Sequence, residues 1–145
     1  MRQLIIVRKD LDMSPGKLAA QVAHASNAWL LQEIQTNAEK NEDASYTASL
    51  SFDKETFEDW ISSIYTKTIC QAKNRYQLEK AIHTAEDLGL AEDKDFFLVK
   101  DLCLTELEPE EVDEQGRGRT LTCIGFRPLP DDIAHIISKK YQLFH

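Results

Sequence analysis

Leu4-Ile-Ile-Val7, followed by Met13-Ser-Pro-Gly-Lys-Leu-Ala-Ala-Gln-Val-Ala-His-Ala25, is the stretch whose reading decides the fold. The apolar, β-branched run is short and flanked by charge, so Gln3 to Arg8 reads as a buried strand. The second run reads as a long helix from Pro15 to about Gln35. Ser14 suits the cap, and Pro15 suits the first helical position, where no amide hydrogen is needed. At about 100° per residue, Lys17, Gln21 and His24 fall within roughly 60° of arc. Leu18, Val22, Ala25 and Trp29 form the neighbouring apolar face, so the polar stripe borders the buried surface and is expected to line a cleft. Lys17 in the first turn opposes the helix dipole at a cost of roughly 0.3–1 kcal/mol. A cation beside unpaired helix amides fits phosphate or oxyanion binding; a lysine that simply reaches solvent is the competing reading. Gly16-Lys17 has the look of a phosphate loop, but Leu11 stands where that loop needs its first glycine, which excludes a P-loop NTPase.

Outward from this unit, Thr36 to Ser51 is polar and aperiodic, expected as a loop or frayed helix end. Phe52, Phe57, Trp60, Ile61 and Ile64 have helical spacing for a short second helix, with Asp53 as its cap and the aromatic residues in the core. Thr66-Lys-Thr-Ile-Cys-Gln-Ala72 alternates as a strand, and Gln77 to Leu88 is an amphipathic helix stopped by Gly89. Phe96-Phe-Leu-Val99 is predicted as the third strand, Asp101 to Pro109 as a loop or edge segment, Thr120 to Phe126 as the fourth strand, and Pro130 to Lys139 as the last helix. Alternating strands and helices specify an α/β layered sheet in one domain, residues 1–145, with one antiparallel strand among parallel ones. Ligands collect where loops leave the carboxyl ends of parallel strands. That rule brings Lys17 toward Asp101 and Thr105.

The 145 residues fit one domain with a real core, and 42% hydrophobic with 29% charged residues is ordinary for a globular protein. No apolar run is long enough for a membrane span. Asp10 and Asp12 interrupt any signal-peptide pattern, so a cytoplasmic protein is expected. Cys70, Cys103 and Cys123 lack CxxC spacing, which argues against a disulfide scaffold or a zinc site; reduced, mostly buried thiols are expected. A net charge of -8 counts against a surface that binds nucleic acid wholesale. A local basic patch is compatible with it: Arg8, Lys9, Lys17, Lys100, Arg117, Arg119 and Arg127 fall near predicted strand ends. The acidic clusters Glu39 to Asp59 and Glu106 to Glu114 are then expected on the opposite face.

On these residues the chain resembles the type II peptidyl-tRNA hydrolases. The match is strongest in Arg2-Gln-Leu-Ile-Ile-Val-Arg-Lys-Asp10 and in the Met13 to Ala25 run. It continues through Thr68-Ile-Cys-Gln-Ala72, Ala85-Glu-Asp-Leu-Gly-Leu90, Leu98-Val-Lys-Asp-Leu-Cys-Leu-Thr-Glu-Leu-Glu-Pro109 and Thr120-Leu-Thr-Cys-Ile-Gly125 with Pro128. The resemblance implies a three-layer sandwich, a mixed four-stranded sheet between helices, often a homodimer. It implies cleavage of the ester between a peptide and the terminal ribose of tRNA, without metal or organic cofactor. The family's functional positions map onto Lys17, Gln21, His24, Asp101, Thr105 and Thr120. Two departures stand out. Family members place Ala-Gly-Arg or Ala-Gly-Lys between that aspartate and threonine, where this chain has Leu102-Cys103-Leu104. The segment Glu110-Glu-Val-Asp-Glu-Gln-Gly-Arg-Gly118 is also longer than the family's, and Arg117 or Arg119 is expected to restore the missing cation.

Ester hydrolysis needs a positioned water, a group to take its proton and donors for the oxyanion. Asp101 is the candidate for the water, helped if burial raises its pKa, and Lys17 for the oxyanion or a phosphate near the 3′ end. Thr105, Thr120 and Gln21 are candidates for hydrogen bonds to substrate or water. Lys17, Arg8, Arg117 and Arg119 are candidates for binding RNA. His24 is a rim ligand or a structural histidine. Two other readings stay open: a tRNA- or protein-binding module without catalysis, and an acyl hydrolase using Cys103 with His24.

Overall fold

The structure is a computed structural model and describes residues 1–145. Strand β1, Gln3–Arg8, is buried at all six positions, the apolar run Leu4 to Val7 and the flanking Gln3 and Arg8 alike. It leads into α1, Pro15–Asn37, which Ser14 caps by accepting a hydrogen bond from the Lys17 amide. A hairpin of β2, Ala38–Lys40, and β3, Tyr46–Ala48, follows, and then a short π-helical turn, Thr56–Ile61. Next come β4, Lys67–Ala72, and α2, Arg75–Asp87. Strand β5, Phe96–Asp101, precedes the two-residue β6, Glu111–Val112, and the long β7, Gly118–Phe126. Helix α3, Asp131–Ser138, and the two-residue β8, Gln142–Leu143, complete the chain.

The sheet runs β5-β7-β1-β4-β8, with β6 added to β7. Strands β1 and β4 are parallel, and β7 is antiparallel to both β1 and β5, so β1, β4 and β5 point one way with β7 threaded between them. The mixed sheet is as expected, but it has six strands rather than four, and two of them rather than one, β7 and β8, run against β1 and β4. The additions, β6 and β8, are too short to show a period in sequence. Thr36 to Ser51 also departs from expectation, since three residue pairs close it into the β2–β3 hairpin. The predicted second helix is a π-helical turn; Asp53 does cap it, accepting from the Thr56 amide at 2.8 Å.

Helices cover both faces. Leu4, Ile6, Ile124 and Phe126 pack with Leu78 and Ala81 of α2 and Ala134 and Ile137 of α3. On the other face Ile5, Val7 and Cys123 pack with Ala25, Leu18 and Val22 of α1. The aromatic cluster of Trp29, Trp60 and Phe97 extends that second face, although Phe57 and Ile64 of the same segment are exposed. Helix α1 lies unusually close to β7. A Cβ at Gly125 would sit 2.1 Å from the Ala25 carbonyl oxygen, so only glycine admits this approach. The approach lays the first turns of α1 across the end of β5.

Candidate active site

Asp101 is the last residue of β5, and the first two turns of α1 carry Lys17 and Gln21 to it. Lys17 Nζ donates to Asp101 Oδ1 at 2.7 Å and lies 3.4 Å from Thr105 Oγ1. Gln21 Nε2 donates to the same Oδ1 at 3.1 Å, and the Cys103 amide donates to Oδ2 at 2.9 Å. The two charged side chains are 15% and 12% exposed, shielded enough for their attraction to exceed that of a surface pair while still open to a ligand. They open onto a cleft of about 350 Å³ that His24, Leu104, Thr105 and Arg119 also line.

Burial by itself would raise the Asp101 pKa. The hydrogen bond from Lys17, the Cys103 amide, the Lys17 charge and Gln21 together outweigh it and hold the carboxyl below its ordinary range. The expectation of a raised Asp101 is therefore corrected: desolvation is present, but three donors aim at the charged form. An ionised carboxylate has about four acceptor positions, and these donors use three. The remaining one, on Oδ2, has no protein donor.

The other expected residues divide by location. Thr105 and His24 are exposed at the cleft. Thr120 is fully buried behind it, with Oγ donating to the Glu108 carbonyl at 2.5 Å and accepting from the Glu110 amide at 3.2 Å. The Cys103 thiol faces Thr120 Oγ at 3.4 Å and the Asp101 carbonyl at 3.5 Å, a course into the protein, and so stands apart from His24 on the rim. Arg8 is 5% exposed and clasped by Asp10 at 2.8 Å, by Glu110 and by the Leu121 carbonyl. It does not line the cleft. Arg119 does, whereas Arg117 projects from the β6–β7 turn. Sequence reading missed Thr122. Its hydroxyl lies 2.6 Å from Gln21 Oε1, one layer below the cleft, where a threonine in a buried strand gives no outward sign of a polar partner.

For the cluster Glu106 to Glu114, the expected separation from the basic residues is also corrected. Pairing of β6 with β7 lays the acidic segment directly on the cations. Glu111 pairs with Lys100 at 2.8 Å and Arg75 at 3.2 Å, and Asp113 with Arg119 at 2.9 Å and Arg117 at 3.2 Å. The Arg117 amide and the Arg119 guanidinium hold Asp113 down at about 2. Glu106 takes the start of α1, accepting from the Ser14 amide at 2.8 Å and the Ser14 hydroxyl at 2.6 Å. No group of three or more His, Cys, Asp or Glu side chains is arranged to hold a metal, and no helix is long and apolar enough to cross a membrane.

Known proteins share this arrangement of chain. The family described as Peptidyl-tRNA hydrolase PTH2 matches residues 1–144. A peptidyl-tRNA hydrolase of Methanopyrus kandleri is 34% identical over 127 residues, 88% of this chain and 84% of its own. One of Sulfolobus acidocaldarius is 31% identical over 143 residues, covering 99% of each. One of Thermoplasma acidophilum is 27% identical over 98% of this chain and 97% of its own. Among solved structures, an Agrobacterium protein of unknown function aligns with a TM-score of 0.54 over 99% of this chain and 97% of its own, at 10% identity, a likeness of fold alone. A family match from the first residue to the last but one, together with archaeal relatives above 30% identity, shows that this chain belongs to the peptidyl-tRNA hydrolase PTH2 family.

Proposed function

We propose that this protein hydrolyses the ester joining a peptide to the terminal ribose of tRNA, with Lys17 and Asp101 as its centre. The single observation that carries the reading is the 2.7 Å Lys17–Asp101 pair at the floor of an open cleft, joined by Gln21 and Thr105. A water on Asp101 Oδ2 adds through its oxygen to the ester carbonyl carbon. The ammonium of Lys17 faces the oxygen on which negative charge develops. The bond to the ribose oxygen then breaks and the water's proton ends on the ribose hydroxyl, giving peptide acid and free tRNA. A carboxylate held below its ordinary range is a weak base, so the main work of Asp101 is orienting the water and fixing Lys17.

Thr105 and Gln21 position the Lys17–Asp101 pair and the substrate, and His24 meets the acceptor end from the rim. Thr120, buried behind Cys103, holds the loop that carries Thr105. Arg119 faces the RNA in place of the cation absent at Leu104, with Arg117 further out. Arg8, tied to two carboxylates, orders the loop after β1 and leaves phosphate contacts to the others. The inward course of the Cys103 thiol disfavours the cysteine-hydrolase reading. The proposal takes tRNA as partner, a homodimer in the cytoplasm, and turnover independent of metal and organic cofactor.

Peptidyl-tRNA, an N-blocked aminoacyl-tRNA and free aminoacyl-tRNA, each incubated with pure protein with and without chelator, test the reading. Release of tRNA from the first two alone, unaffected by chelator, is expected. Binding without release would leave a recognition module, and chelator-sensitive cleavage would remove the water-and-lysine chemistry.

A further inference from the structure

Thr122 occupies a bulge. Val99 pairs with Cys123 and Lys100 with Leu121, so Thr122 is the extra residue of β7. A regular strand sends neighbours to opposite faces, but here two consecutive side chains meet the same residue of α1. The Cys123 thiol lies 3.4 Å from the Gln21 carbonyl, and the Thr122 hydroxyl 2.6 Å from Gln21 Oε1. That hydroxyl has one proton and two further acceptors within reach, the Val99 carbonyl at 3.2 Å and the Cys123 sulfur at 3.7 Å. The Gln21 amide settles the choice. Its other end faces Asp101, and a carboxylate only accepts, so Nε2 must point there and Oε1 must receive the Thr122 proton. Gln21 is 2% exposed, leaving almost no water to stabilise the flipped amide.

We infer that Thr122 is a positioning residue for ester hydrolysis: through Gln21 it fixes which side of the Asp101 carboxylate is left for the attacking water. The inference deepens the proposed reading of this cleft and rests on it. The bulge is the device that aims the hydroxyl, because a regular strand would turn either Thr122 or Cys123 away from α1. The Cys123 thiol, pushed up to about 12 by burial, stays neutral, and its sulfur, 3.7 Å from the Thr122 hydroxyl, is a weaker acceptor for that proton than Gln21 Oε1 at 2.6 Å. The other charged or titratable groups facing the pair, Lys17, His24, Lys100, Glu106 and Arg119, are unchanged by substitutions at 122.

The test compares wild type, Thr122→Val, Thr122→Ser, Gln21→Leu and the Gln21→Leu/Thr122→Val double variant, in the full chain, on an N-blocked aminoacyl-tRNA. A carboxyl NMR titration of Asp101 accompanies the kinetics. Thr122→Val should lower kcat about 10- to 100-fold with KM nearly unchanged, the size expected when a reacting group is slightly misplaced. Thr122→Ser should restore most of the rate, and the double variant should be no slower than Gln21→Leu. Asp101 should titrate higher in Thr122→Val and in Gln21→Leu alike. An unchanged kcat in Thr122→Val, a serine variant as slow as the valine, or multiplicative losses in the double variant would overturn the inference. Should Thr122→Val fail to fold, Thr122→Ala takes its place under the same criteria. If wild type leaves the substrate intact, the hydrolase reading falls and the role in hydrolysis falls with it, whereas active wild type with no Asp101 shift in Thr122→Val overturns the inference alone.

Discussion

Cys103 sits at φ +58°, in the left-handed region, and its amide donates to Asp101 Oδ2. A residue with a Cβ loses about 1–2 kcal/mol there. The resemblance places glycine at this position, and the backbone now gives the reason: the loop must turn left-handed to aim the amide at the carboxylate. Cys103→Gly should therefore keep the site and raise the urea midpoint, or at least leave it unchanged; a marked drop would mean that the thiol's contact with Thr120 outweighs the strain. Asp101 supplies a second expectation. Its pKa is depressed, so its contribution to stability is complete above the ordinary 3.8 and is lost as pH falls through the lower folded value. NMR titration should place its midpoint below 3.8, and a midpoint above that value would show that burial outweighs Lys17. Lys17, Gln21, Asp101 and Thr105 were legible in sequence because helix periodicity and strand-end topology act on residue types that stand out. Thr122 was not, since nothing in Thr120-Leu-Thr-Cys123 announces a bulge.

At the scale of elements, the α1–β7 contact sets the site. The Gly125 backbone lies against the Ala25 carbonyl, which seats Gln21 over Thr122 and Lys17 over Asp101. Gly125→Ala forces the two elements apart and should cost about 3 kcal/mol, the upper end of overpacking, read as a lowered denaturant midpoint with turnover lost even where the protein stays folded. Near-wild-type stability and rate would show that the contact can yield. The long elements, β1, α1, α2 and β7, were legible because burial stamps a helical period on α1 and α2 and a continuous buried run on β1 and β7. The β2–β3 hairpin and strands β6 and β8 have two or three residues each, and backbone pairing to a neighbour defines them rather than any pattern of their own.

Across the whole molecule, an acidic segment lies over the cations nearest the cleft. Glu111 and Asp113 hold Lys100, Arg117 and Arg119 in ion pairs, so the cations that would meet RNA are already partnered. Net charge alone could not show this, because the pairing depends on β6 folding back onto β7. The Glu111→Gln/Asp113→Asn double variant should bind tRNA more tightly at low salt. Its log K against log salt slope should steepen by about one unit, as one further phosphate contact becomes available. Unchanged affinity and slope would place the RNA footprint elsewhere.

The most direct measurement is single-turnover release of tRNA from an N-blocked aminoacyl-tRNA by wild type, Lys17→Ala and Asp101→Ala, with tRNA affinity measured alongside. Each variant should fold, bind tRNA within a few-fold of wild type and release it about 100-fold or more slowly, the scale of losing a group that stabilises or positions the transition state. Undiminished release by either folded variant would contradict a shared ester-cleaving centre of Lys17 and Asp101.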